Sequence, residues 1–187
     1  MKRISSVYLA GPDVFFPGAL DLAARKRALC EIAGLQAIQP VESELIEAEP
    51  SEAMAREIYA NAMEMLRGAD AVIANLSPWR GPGADPGTAF EAGVASGMGK
   101  PVFAYMNVAE EGQAEHRQRV LEWIGGQPGE DGRWRDADDC EIEDFGLPEN
   151  LMLWAEARRL YVIVTPDTQS DLTGLELCLD AIKLYSD

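Results

Sequence analysis

The residues best placed to do chemistry lie in one run, Asp85-Pro86-Gly87-Thr88-Ala89-Phe90-Glu91-Ala92-Gly93. This run reads as the start of a helix that follows an apolar strand, which places Glu91 in the first turn or two, beneath the edge of a sheet. The unpaired N–H groups and partial positive charge of a helix start favour an ionised carboxylate. A positioned, ionised carboxylate at a strand-end cleft can serve as a nucleophile. The same spacing also suits an acidic residue that only complements the helix dipole. Other nucleophilic chemistry is poorly supplied. The single histidine, His116, sits in the charged run Glu110–Arg119, where a solvated helix face accounts for it better than a Ser-His-Asp triad or a metal site. Cys30, Cys140 and Cys178 are odd in number, far apart and without a C-x-x-C pair, so neither a disulfide framework nor a thiolate zinc site is indicated. Chemistry run on carboxylates, with no metal and no cofactor, is the expectation.

Short apolar runs alternate with amphipathic stretches, the pattern of an α/β protein with a parallel sheet. Strands are predicted at 4–10, 35–39, 71–76, 101–105 and 160–164. Helices are predicted at 19–33, 51–67, 88–98, around 114–124, at 151–158 and at 172–185. In the first helix Leu20, Ala23, Ala24, Ala28 and Ile32 stand at helical spacing, and Gly34 ends it. An acidic loop runs from Glu42 to Pro50, and Ser51 is a natural cap for the next helix. The run Ala71–Leu76 is continuous and mainly apolar, as expected of a central strand covered on both faces. Residues 108–146 are charged and rich in Gly and Asp, and read as an insertion or lid within a single domain, 1–187. Five strands with intervening helices predict a doubly wound α/β sandwich, flavodoxin-like or Rossmann-like, around a five-stranded parallel sheet. Ligands bind such sheets at the carboxyl ends of the strands. The loops after Ala10, Gln39, Leu76 and Tyr105 are therefore the ones to search. No G-x-G-x-x-G follows the first strand and no P-loop is present. Gly81-Pro82-Gly83 is a turn, and Gly87, Gly93, Gly97 and Gly99 permit close packing of helix on strand or ligand.

Composition narrows the partners. The 187 residues carry 16 Lys and Arg against 32 Asp and Glu, a formal charge of −16. Binding to nucleic acid needs a basic face, and so does an anionic membrane; neither is expected. With 47% hydrophobic residues the chain can build an ordinary core. No apolar stretch approaches the ~20 residues of a membrane span, and the N-terminus runs into a strand without a signal-like apolar region, so the cytoplasm is the expected location.

Several pieces, in order, resemble the nucleoside 2-deoxyribosyltransferases: Tyr8-Leu9-Ala10-Gly11-Pro12, then Asp70-Ala71-Val72-Ile73-Ala74-Asn75-Leu76. Asp85-x-Gly-Thr-x-Phe-Glu91-x-Gly, Gly99-Lys100-Pro101-Val102 and Gly146-Leu147-Pro148-Glu149-Asn150-Leu151-Met152 follow. The resemblance spans most of the chain and is thinnest over 108–140. It implies that Glu91 attacks the anomeric carbon of a nucleoside, forming a covalent deoxyribosyl-enzyme that a second base or water resolves. This is the logic of retaining glycosidases. It implies that Tyr8 orients the nucleophile, making Glu91 and Tyr8 the catalytic pair. Asp85 and Asn150 match residues that bind the sugar 5′-hydroxyl, with Asn150 and Met152 donated by a neighbouring subunit of a homo-oligomer. Gly11, Asp13 and Gly87 fall on the substrate-facing loops. Asn150 is also a plausible helix cap.

One departure matters. Many members carry an aspartate eight positions before the third-strand aspartate, where it contacts or protonates the base; here that position is Ala62, with Asn61 beside it. Asn61 can reach a base but cannot be a general acid, and Asp13 is a second candidate. The expected substrates are nucleosides and nucleobases, with hydrolysis as a side reaction. Two alternatives stay open: a hydrolase of nucleoside 5′-monophosphates, and a non-catalytic nucleotide-sensing module.

Overall fold

Strands β1 (Ser6–Ala10), β3 (Ala71–Asn75) and β4 (Val102–Val108) are buried along their whole length, which is why their sequences show no apolar–polar alternation. The structure is a computed structural model that describes residues 3–40 and 50–186. The acidic loop expected at Glu42 to Pro50 therefore lies outside the described residues except for Pro50. With β2 (Gln36–Ile38) and β7 (Arg159–Val164), these strands form a five-stranded sheet in the order β2-β1-β3-β4-β7, every pair parallel. This is the flavodoxin-like strand order. The chain steps outward to one side after β1 and to the other after β3, so the switch point falls between these two neighbours. Ala10 pairs with Ala74, and Asn75 with Tyr105, so the carboxyl ends of the three central strands lie side by side.

Each face of the sheet has its own core. On one face, α1 (Ala19–Ile32) and α6 (Thr173–Ser186) pack Leu22, Cys30, Leu175, Cys178 and Ile182 against Val7, Leu9, Ile73, Phe103 and Tyr105. On the other, α2 (Glu52–Gly68) and α3 (Pro86–Gly97) set Met63, Leu66, Ala92 and Ala95 against Tyr8, Val72, Ala74, Ala104 and Met106. Ser51 caps α2, its side chain accepting from the Met54 amide at 3.2 Å. Gly34 takes a left-handed φ of 78° to turn the chain out of α1, and the Leu35 amide returns to the Cys30 carbonyl at 2.8 Å.

The elements depart from the predicted ones in identifiable ways. In α1, Leu20 and Ile32 are exposed, at 61% and 83%; the buried face is Leu22, Ala23, Lys26 and Cys30. Lys26 interrupts the true stripe, and it is buried because its ammonium pairs with Asp13 and lies 5.8 Å from the Tyr105 ring centre. Helix α3 begins two residues early, at Pro86, and β4 continues three residues beyond Tyr105. The helix within the insertion, α4 (His116–Ile124), is preceded by a separate 3-10 turn at Glu111–Ala114. Beyond it, β5 (Gln127–Pro128) and β6 (Trp134–Arg135) form a two-residue antiparallel ribbon. Helix α5 (Leu151–Glu156) is only six residues long. Gly93 and Gly97 have nothing within 4 Å of an added Cβ, so they do not serve the close packing expected of them. None of the described helices is long and apolar enough to cross a membrane.

Close packing does decide Gly174, in the first turn of α6. A Cβ there would stand 2.6 Å from the Tyr105 Cβ and 2.7 Å from its ring. Tyr105 is held on a central strand and cannot swing aside. Gly174→Ala is expected to lower the free energy of unfolding by ~1–3 kcal/mol, read from urea titration; an unchanged midpoint would show that α6 can lift from the sheet at no cost.

Candidate active site

Tyr8 and Glu91 meet at the sheet edge from elements far apart in the chain. Tyr8, fully buried on β1, donates its phenol to Glu91 Oε1 at 2.6 Å. Glu91 is the sixth residue of α3, whose start is fixed by Asp85: Oδ2 accepts from the Thr88 amide at 2.8 Å and from the Thr88 hydroxyl at 2.9 Å. Pro86 at the first helical position needs no hydrogen-bond partner for its nitrogen. Ala92 and Ala95, small and buried, let α3 approach the sheet closely enough for Glu91 to reach Tyr8. Oδ1 of Asp85 accepts no hydrogen bond among the described residues.

The electrostatics of the pair are opposed. Burial pushes the Glu91 carboxyl above the ordinary carboxylate range, the Tyr8 hydrogen bond pulls it back, and the Asp85 charge pushes it up again. Burial, the Glu91 charge and the hydrogen bond together hold the Tyr8 phenol well above its ordinary value, so it remains a proton donor to the carboxylate. The site thus contains a carboxylate partly stripped of water and steered by one hydroxyl.

A second polar cluster sits on the opposite face of the same edge. Asp13, in the 3-10 turn after β1, accepts from Asn75 Nδ2 at 3.0 Å through Oδ1 and pairs with Lys26 through Oδ2. Asn75 Oδ1 accepts from the Ser77 amide and hydroxyl, at 3.1 and 2.6 Å, and the Ser77 hydroxyl oxygen accepts from the Asn107 amide at 2.9 Å. Gly11 is required there: a Cβ would come within 2.6 Å of Asp13 Oδ2 and 3.0 Å of the Asn75 Cβ. Both oxygens of Asp13 are committed to protein donors. Gly87 stands in a similar relation to Asp85, with 3.0 Å between an added Cβ and Oδ2. Above the edge, Phe15 stacks on Trp79 with ring centres 5.6 Å apart, and the Arg80 guanidinium lies 4.9 Å from the Trp79 ring.

The remaining candidates lie on α2 and at the start of α5. Asn61 is half-buried on α2, where the exposed first half of that helix gives way to buried Met63 and Leu66. Asn150 caps α5, its Oδ1 accepting from the Met152 amide at 3.0 Å while its Nδ2 donates to Glu143 at 3.0 Å. Met152 is 72% exposed, and its inner side lines an apolar cavity of about 300 Å³ with Ala89, Gly93 and Leu153. His116 is not on a solvated face as expected. Its side chain is only 18% exposed, 3.5 Å from the buried Glu149, because its amide bonds the Leu147 carbonyl and draws the start of α4 onto that segment. Asn75, Ser77 and Lys26 were not singled out from the sequence; Asn75 alone left a trace, as a polar residue ending an apolar strand. Among the described residues no three acidic, Cys or His side chains gather where a metal could be held.

The fold and the pair define a doubly wound α/β protein with a phenol-steered carboxylate where β1 meets α3. The family model of the nucleoside 2-deoxyribosyltransferases matches residues 7–152, a stretch that contains Tyr8, Asp85, Glu91 and Asn150, and the chain belongs to that family. The structure is similar to that of a 2-desoxiribosyltransferase from Leishmania mexicana, at 27% identity and a TM-score of 0.62, covering 94% of this chain and 97% of that one. It also matches the fold of a conserved protein from Enterococcus faecalis V583, at 21% identity and a TM-score of 0.57, covering 97% and 99%. An uncharacterized protein of Schizosaccharomyces pombe is 28% identical over 159 residues, 80% of this chain and 75% of its own length.

The raised Glu91 value has a consequence for stability that is independent of any reaction. The folded state binds the Glu91 proton more tightly than the unfolded chain does. The stabilisation from that proton is complete below the ordinary carboxylate value and is lost as pH rises through the folded value. Glu91→Gln, neutral at every pH and still able to accept from Tyr8, is expected to melt at a higher temperature than the unmodified protein at pH 7. The advantage should shrink as the pH is lowered into the acid range. A variant that melts lower at pH 7 would show that Glu91 is not held away from water.

Proposed function

We propose that this protein transfers 2-deoxyribose between nucleobases by double displacement on Glu91. The observation that carries the reading is the buried Tyr8–Glu91 bond at the carboxyl edge of the sheet, in a chain of this family. In the first step a Glu91 oxygen forms a bond to the anomeric carbon as the bond to the base nitrogen breaks. The base leaves with that electron pair and takes a proton from water. In the second step an incoming base nitrogen forms the new bond and gives up its proton to water, and the ester to Glu91 breaks. Water in its place yields free deoxyribose, the hydrolytic side reaction. Tyr8 keeps one carboxylate oxygen fixed and leaves the other to attack. Ala62 supplies no proton to the departing base, and Asn61 offers only a hydrogen bond.

Asp85 supports a nucleoside rather than its 5′-phosphate. In the resemblance this residue meets the sugar 5′ end, where a carboxylate accepts from a hydroxyl but repels a phosphate. Like charges ~4 Å apart cost ~1 kcal/mol in water and ~4 kcal/mol at an effective dielectric of 20. The decisive experiment incubates the protein with deoxyinosine and free adenine, or with deoxyinosine monophosphate and adenine. Deoxyadenosine should form in the first mixture, with poorer use of the second. A slow 2-fluorinated nucleoside should leave one adduct on Glu91 in intact-protein mass spectra, and Glu91→Ala should lose at least ~1000-fold in turnover. Hydrolysis of the monophosphate without exchange would favour the hydrolase; full activity of Glu91→Ala would remove the nucleophile from the mechanism.

The site is completed, in this reading, by a second copy. Leu151, Met152 and Trp154 are 36%, 72% and 45% exposed on the single chain, an apolar strip beside Asn150 suited to a subunit contact. Mixing inactive Glu91→Ala with inactive Asn150→Ala protein should restore part of the activity, since some sites then hold both residues. An active monomer in sedimentation experiments would overturn the shared site.

A further inference from the structure

The insertion of residues 108–146 contributes no group to the reaction as written, yet it holds one carboxylate firmly in place. The Ile142 amide donates to the Trp134 carbonyl at 2.8 Å, and Glu141 bridges to Arg135, so residues 141 and 142 lie beside β6. Both oxygens of Asp144 accept from Arg117 Nη1 at 2.9 Å, and the Arg117 guanidinium lies 5.4 Å from the Trp134 ring centre. Glu143 stands between these two anchors, half-buried. Its oxygens both go to the start of α5: Oε1 accepts from the Leu151 amide at 2.8 Å, and Oε2 from Asn150 Nδ2 at 3.0 Å. The Asn150 backbone is held as well, its amide donating to Glu149 Oε1 at 3.0 Å. Oε2 of that buried carboxylate accepts from Nη2 of the buried Arg119 at 3.1 Å.

The bond from Glu143 to the Leu151 amide satisfies an end amide, as any helix cap does. The bond to Asn150 Nδ2 does something a cap has no need of. Asn150 Oδ1 accepts from the Met152 amide, so the two ends of the Asn150 side chain face partners of opposite kind. Turned over, its NH2 group would meet an N–H and its oxygen would meet a carboxylate. The side chain is therefore fixed in one sense, with one Nδ2 hydrogen given to Glu143 and the other left to offer. In the proposed reaction Asn150 enters the site of a neighbouring subunit, where Asp85 Oδ1 accepts no hydrogen bond among the described residues. A hydroxyl matches that pair, since it can donate to Asp85 of one chain and accept from Asn150 of the other.

We infer that Glu143 is a positioning residue that fixes the Asn150 amide as a hydrogen-bond donor to the 5′-hydroxyl bound in the neighbouring subunit's site. The inference rests on the transferase reading with its shared site. It makes Glu143 act together with the Asn150 of its own chain, and across the interface from the Glu91 and Asp85 that it serves.

The first test compares unmodified protein and Glu143→Ala on a 2′-deoxynucleoside and on the matching 2′,5′-dideoxynucleoside, with adenine as acceptor. Glu143→Ala should lose about ten-fold in kcat/KM on the deoxynucleoside, mainly through KM, as expected when binding shared by ground and transition states is lost. On the substrate without a 5′-hydroxyl the two proteins should differ by less than about three-fold, because the contact that Glu143 aligns is already missing. Glu143→Gln, which keeps the shape but only one acceptor, should show the same substrate dependence and serves if Glu143→Ala does not fold. An equal loss on both substrates would reduce Glu143 to a helix cap and overturn the inference, as would no loss on either. The second test mixes subunits at low deoxynucleoside concentration. Activity should rise when Glu143→Ala is mixed with inactive Glu91→Ala, whose chain brings an intact Glu143 and Asn150 to its neighbour's site. It should not rise with Asn150→Ala, because neither chain then carries both residues. The reverse pattern would place Glu143 in its own chain's site and overturn the inference. Failure of Glu91→Ala and Asn150→Ala to restore each other would overturn the shared site, and failure of the unmodified protein to exchange any base the transferase reading, each taking this inference with it.

Discussion

A carboxylate taken out of water and left with one hydroxyl for company is the constraint around which the rest is arranged. Glu91 gains the Tyr8 hydrogen bond and loses much of its hydration, and burial wins, because its carboxyl is held above the ordinary range despite the phenol. That balance needs a phenol at a fixed point, and a fully buried position on a central strand provides one. It needs the helix carrying Glu91 to start at one residue, and the Asp85–Thr88 cap provides that. It also needs α3 to lie close to the sheet, which only small side chains such as Ala92 and Ala95 permit. The raised Glu91 carboxyl and the local stability penalty have the same source, burial of the charge.

The two faces of the sheet divide the polar work. Glu91 and Tyr8 belong to the α2–α3 face, and Asp13, Lys26, Asn75 and Ser77 to the α1–α6 face, yet both groups emerge at the same edge. The second cluster satisfies its members with each other: Lys26 neutralises Asp13, Asn75 bridges to Ser77, and Ser77 holds the Asn107 backbone. Such a closed network stiffens the loops after β1 and β3, which carry the aromatic rim of Phe15 and Trp79.

Fold class and strand positions were legible because parallel strands buried on both faces write themselves as unbroken apolar runs. The α1 stripe was not. Leu20 and Ile32 look like core residues by spacing, whereas the real contact face contains Lys26, a charge that only its distant partner Asp13 makes tolerable. Periodicity cannot see a partner that lies outside the helix. Arg119, Glu149 and His116 were hidden for the same reason: in a strongly charged segment, nothing local marks which charges are paired and buried. The end of β4 was missed because Asn107 looks like a loop residue until its side-chain amide is seen donating to Thr168 and Asp171. Glu91 could be reached from its helix-start position, but its pairing with Tyr8 rested on resemblance, since no spacing rule connects them.

The Tyr8–Glu91 bond joins residues 83 positions apart, and the strand carrying Tyr8 is tied to the start of β3 by the Ser6–Asp70 bond, across 64 positions. Loop closure over such distances precedes any reward from the contacts made, and it slows folding relative to local structure. Local helical structure in a nascent or refolding chain can therefore form before the Tyr8–Glu91 pair does. Until the central strand is threaded between β2 and β3, Glu91 is an ordinary, hydrated acid, and the raised carboxyl is a property of the finished sheet alone.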